Sequence, residues 1–165
     1  MSDATIPWQA IPLAPYGAVL HVPVGWEALP PRPDNGPEIV RATGGRGRTL
    51  IVFKMPTALG TSAAQVAAGA QERLAAHGYE DFSLSDAEFA GATGVALDFV
   101  NPRRSGATPY HTREYFTVRG AAAYALGTGS SDWVDYLPLV EELARRFELV
   151  GQDHAGGDLP GGDRP

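Results

Sequence analysis

The chain contains no cysteine. Disulfides, thiolate nucleophiles, thiolate metal sites and cysteine-borne lipid anchors are therefore excluded. Lysine is nearly missing as well: of 13 basic residues only Lys54 is a lysine, a bias read as compositional rather than functional. Positive charge is outweighed, with a formal net charge of -6. Such an acidic chain is a poor general binder of nucleic acid or anionic membrane. No apolar run approaches the roughly 20 residues that span a bilayer. The opening Met1–Ala10 lacks the basic start and apolar stretch of a signal peptide. No membrane insertion and a cytoplasmic location are therefore expected. There is no Gly-x-Ser-x-Gly elbow, and His21, His77 and His154 show no metal-ligand spacing. No cofactor and no metal are expected.

What is present is enough for one domain with a core: 165 residues, 44% of them hydrophobic. Its centre runs from Gly94 to Thr128. Val95, Leu97 and Phe99 alternate as in a half-buried strand, Tyr110–Val118 forms the next, and Ala121–Leu126 the one after. Arg119-Gly120 is a tight-turn signal between the last two. This stretch predicts an antiparallel meander that the rest of the chain must cover.

Ahead of it, residues 1–15 read as an extended lead-in broken by Pro7, Pro12 and Pro15. A first strand is expected over Tyr16–Val22, stopped by Pro23-Val-Gly25, with Trp26 as a core anchor. Glu38–Ala42 and Thr49–Phe53 read as a hairpin, and the apolar run of the second suggests coverage on both faces. Ser62 and Gln65 form a capping box for a helix whose Val66, Ala70 and Leu74 make a thin apolar stripe. Gly78 ends it. Tyr79–Phe89 holds one or two short strands. After the meander, Gly127–Asp132 reads as a loop. A last helix is expected from Trp133 to Glu148, with Trp133, Leu137, Val140, Ala144 and Phe147 on one face. Residues 151–165 are Gly-, Asp- and Pro-rich, which predicts a disordered tail. The expected fold class is α+β: an antiparallel sheet of about six to seven strands flanked by two main helices.

The Val22-Pro23-Val24-Gly25-Trp26 turn after the first strand, the Tyr115-Phe116 strand, the Tyr124-Ala-Leu126 strand and a last helix ending in Phe147 resemble the PsbP-like superfamily. That group includes PsbP itself, Mog-type Ran-binding factors, and LpqN- and DcrB-like bacterial proteins. The resemblance spans about Tyr16 to Val150 and implies an α-β-α sandwich. It also implies a binding or assembly role, with no shared catalytic residues to carry over.

Three constellations could carry chemistry. Thr43–Arg48, with Arg46 and Arg48, could cradle an anion, but no Gly-Lys-Ser/Thr follows, and a solvated hairpin loop is the plainer reading. Arg103 and Arg104 could join them in a positive patch suited to a carboxylate or an acidic peptide. Asp98, His111, Arg113 and Glu114 lie on adjacent strands. They could form an acid–base pair if they converged, or simply cross-strand ion pairs. Trp26, Trp133, Tyr115, Phe116 and Tyr124 are core by default and become a binding surface only if one sheet face stays open. The leading expectation is a non-enzymatic accessory domain, with a chaperone-like role as one form of it, that binds another protein through Arg46, Arg48, Arg103, Arg104, His111, Arg113 and Tyr115. The alternative is a small apolar ligand held in a pocket between sheet and helix.

Overall fold

The computed structural model describes residues 5–32, 34, 36–102 and 108–150. Ten strands and two helices are seen among them: β1 (Trp8–Leu13), β2 (Ala18–Pro23), β3 (Glu27–Leu29), β4 (Glu38–Thr43), β5 (Thr49–Pro56), α1 (Ala63–Ala76), β6 (Glu80–Phe89), β7 (Ala92–Asn101), β8 (Tyr110–Arg119), β9 (Ala122–Ser130), α2 (Trp133–Arg146) and β10 (Glu148–Leu149). The class is α+β. The main sheet has seven strands in the order β3-β4-β5-β9-β8-β7-β6, and a small sheet pairs β1-β2-β10. All the pairings are antiparallel.

The meander is where the sequence puts it. β8 turns into β9 through Gly120 and Ala121, with Arg119 opposite Ala122 and Gly120 at φ +59°. The Ser62 box is formed in both directions: the Ser62 hydroxyl accepts from Gln65 N at 3.1 Å and the Gln65 side chain accepts from Ser62 N at 2.8 Å. Gly78, at φ +89°, follows the end of the helix.

Several expectations need correction. The lead-in is not merely extended: Trp8–Leu13 pairs with β2 residue for residue, Trp8 opposite Pro23 and Leu13 opposite Ala18. Pro12 is tolerated because β1 is an edge strand of the small sheet. Tyr79–Phe89 holds one ten-residue strand, β6, kinked where Asp81 takes φ +57°. Gly127–Ser130 is not loop but the second half of β9. Finally, α2 buries Tyr136 and Leu143 beside Val140 and Ala144, a face rotated away from Leu137. Tyr136 can go under because its hydroxyl donates to the Thr49 carbonyl at 3.2 Å.

The two faces of the main sheet are covered unequally. On one, α2 and the small sheet bury Leu20, Val22, Leu50, Val52, Tyr124 and Leu126 in a continuous core. On the other, α1 lies over β6, β7 and β8, and its Ala67 and Ala70 touch a layer made by Val95, Leu97, Phe99 and Phe116. Small residues on the helix let it approach the sheet closely. The β3-β4-β5 half of that face has no helix over it among the described residues. So β5 is not enclosed on both sides: Leu50 and Val52 are buried while Ile51 and Phe53 are only partly covered.

Candidate binding groove

Alternation and register decide which side chains meet on the open half-face. Arg41, Ile51, Gly127 and Glu114 stand in one lateral row across β4, β5, β9 and β8. Thr43, Thr49, Gly129 and Thr112 form the next. β9 contributes two glycines to this face, Gly127 and Gly129, and the floor is lowered at Gly127. Leu29 and Arg41 border the depression on one side, Leu74 at the end of α1 and Tyr79 on the other. The result is a groove of about 600 Å³, within the size range of small-ligand sites.

Each glycine has a reason. A Cβ on Gly129 would lie 2.6 Å from the Tyr110 ring. That ring lies over the glycine, with its hydroxyl 2.7 Å from Thr49 Oγ1, and closes one end of the groove. A Cβ on Gly127 would meet only ordinary neighbours, Glu114 Cγ at 3.4 Å and Phe53 at 3.6 Å. At Gly127, then, the missing side chain leaves usable space.

The two charged side chains in the floor row differ in their partners. Arg41 Nε is 2.6 Å from Glu38 Oε1, whose side chain has no exposed surface. The contact is an ion pair bent too far to count as a hydrogen bond, so Nε itself lacks one. Glu114 makes no hydrogen bond or ion pair among the described residues, and it is the one carboxyl among the groove-lining residues. Burial pushes its pKa up to about 7, and the charge of Arg73 on α1 offsets only part of that rise.

The sequence-predicted contact residues do not gather here. Arg46 is exposed at the tip of the β4–β5 hairpin, at φ +64°. Arg48 turns inward: it bonds both carboxylate oxygens of Asp132, at 3.0 and 3.3 Å, and covers the Tyr136 ring. Burial works to raise the Asp132 pKa, but the hydrogen bonds from Arg48 and Ser130 outweigh it and hold the carboxyl low. Arg103 and Arg104 lie outside the described residues. His111, Arg113 and Tyr115 all face the α2 side. His111 stacks on Trp133, Arg113 bonds Asp98 at 2.7 Å, and Tyr115 is 2% exposed with its ring beside Phe89. Tyr115 is thus core, and Arg48 is a structural clamp. Glu114 points to the opposite face from His111, so no His–carboxylate pair is assembled between them. The groove residues Ile51, Phe53, Tyr110, Gly127 and Gly129 escaped the sequence reading. The alternating Gly127-x-Gly129 was the available signal, since glycines at period two strip one face of a strand.

This architecture has solved counterparts. A cyanobacterial PsbP, CyanoP from Synechocystis sp. PCC 6803, superposes with TM-score 0.68 over 90% of this chain and 96% of its own, at 13% identity. The chain has the PsbP-like fold. LpqN of Mycobacterium tuberculosis, described as involved in cell envelope biogenesis, shares it with TM-score 0.58 at 15% identity, over 90% of this chain and 93% of LpqN. So does PA94 of Pseudomonas aeruginosa, a putative regulator of unknown function, with TM-score 0.51 at 16% identity over 84% and 94% of the two chains. No family model and no curated protein matches the sequence. Among the described residues, no helix is long and apolar enough to cross a membrane.

Proposed function

We propose that the chain is a non-enzymatic binding domain with an accessory role, and that the open half of its main sheet is the surface it works through. The observation that carries this is the groove: apolar side chains from Ile51, Phe53 and Phe99, a floor lowered at Gly127, and a surrounding set of threonines and charged groups. Acid–base chemistry has little support, because Asp98, His111 and Arg113 are turned to the face opposite Glu114 and are spent on one another or on Trp133. Of the two occupants expected from sequence, the small apolar ligand beside the sheet and helix is favoured by the size of the groove and by Ile51, Phe53 and Phe99 in its lining. The protein partner keeps one supporting feature, the exposed Arg46 at the hairpin tip. The proposed compartment is the cytoplasm, and recovery of the protein with the cell envelope on fractionation would overturn that.

The test is to fill the floor. Gly127→Val, or Ile51→Trp should the valine unfold β9, is expected to abolish binding of phenylbutanol measured by amide-resonance titration. The melting temperature should change little. Binding that survives both substitutions would move the site elsewhere.

A further inference from the structure

The charges in the groove favour one class of ligand. Arg41 is engaged with Glu38, while Glu114 is held against apolar walls with no counter-charge bonded to it among the described residues. An unpaired carboxylate in such surroundings is costly, and a cation brought to it recovers much of that cost. An anionic ligand would add a second negative charge at the same place. A peptide strand is also poorly served: β5, β9 and β8 are interior strands whose ladders already use their backbone groups, so the floor can offer no strand pairing. We propose that the groove binds a small amphiphilic amine, its ammonium on the Glu114 carboxylate and its apolar body along Ile51 and Phe53.

This inference rests on the groove being the binding site and names what fills it. It carries a pH signature. Glu114 is neutral well below pH 7 and ionised above it, so the preference for an amine grows as pH rises through that value. The other charged or titratable groups lining the groove or acting on the carboxyl are Arg73 from α1, Arg41 from β4, Arg32 between β3 and β4 on the rim away from β8, Tyr79 beyond the end of α1 and Tyr110 from β8. Arg73, Arg41 and Arg32 carry the same charge as the ammonium and set an upper limit on the gain without forming a pair with Glu114.

The experiment titrates the full chain with phenylbutylamine, phenylbutanol and phenylbutyrate, following backbone amide resonances. At about pH 8 the amine is expected to shift Gly127, Gly129 and Ile51 and to bind at least roughly tenfold more tightly than the alcohol, with the acid weakest. The preference should shrink at about pH 5.5 and disappear in Glu114→Gln. Retained binding of the alcohol by that variant reports that it is folded. Equal binding of all three probes at the groove would overturn the amine assignment and leave the groove standing, as would an amine preference unchanged by Glu114→Gln. Absence of any shift at the groove amides would overturn both.

Discussion

Glu114 ties the stability of the molecule to pH in an unusual direction. The folded chain holds this proton up to about pH 7, whereas an ordinary glutamate releases it near 4.5. Between those values the folded state binds more protons than the unfolded one, so this group lowers stability as pH rises, and the loss is complete above the folded value. Most surface carboxylates that gain partners on folding act the other way. Glu114→Gln should therefore raise the melting temperature at about pH 8 and leave it unchanged near pH 4. The gain is on the order of 1–3 kcal/mol, reduced because the groove admits some water. Equal melting of variant and parent at the higher pH would mean that the carboxyl is solvated. Sequence alone could place Glu114 on a strand beside Asp98 and Arg113. Alternation turns it away from Arg113, but only the register across the sheet shows what shares its face, because that row comes from residues as distant as Arg41 and Gly127.

Among the elements, the hairpin of β4 and β5 and the start of α2 are locked together. Arg48 grips Asp132 with two nitrogens, and Ser130 adds a hydrogen bond to the same carboxylate. Asp132 caps α2 by position while its side chain serves this clamp rather than the helix N–H groups. Arg48→Ala should cost on the order of 1–3 kcal/mol in urea unfolding, since it leaves a partly buried carboxylate without its fork. An unchanged midpoint would show the clamp to be dispensable. Elements defined by local chemistry were legible: the Ser62 box, the Arg119-Gly120 turn and the alternation of β7. β3 and β1 were not, because a three-residue strand carries no period and prolines mask an edge strand. The apolar run of β5 misled for a related reason. Ile51 and Phe53 look like core residues, and only the position of α1 decides that they line a groove instead.

For the molecule as a whole, the uneven roofing of the sheet joins fold and function. Seven strands need covering, and two fourteen-residue helices and a small sheet cover one face fully and the other by half. The sandwich was legible from the order of elements; the missing half-layer was not, because no residue announces what fails to lie above it. The long outer strand β6 raises a separate matter of colloidal behaviour. It ends the sheet with exposed positions at Ser83, Leu84, Ser85, Asp86 and Glu88, and Asp81 interrupts its run. Charge and a kink on a border strand deter stacking against a second molecule. Asp86→Val combined with Glu88→Val should leave the monomer folded yet seed thioflavin-positive fibrils on storage, while a clear solution after the same interval would show that the kink at Asp81 guards the border unaided.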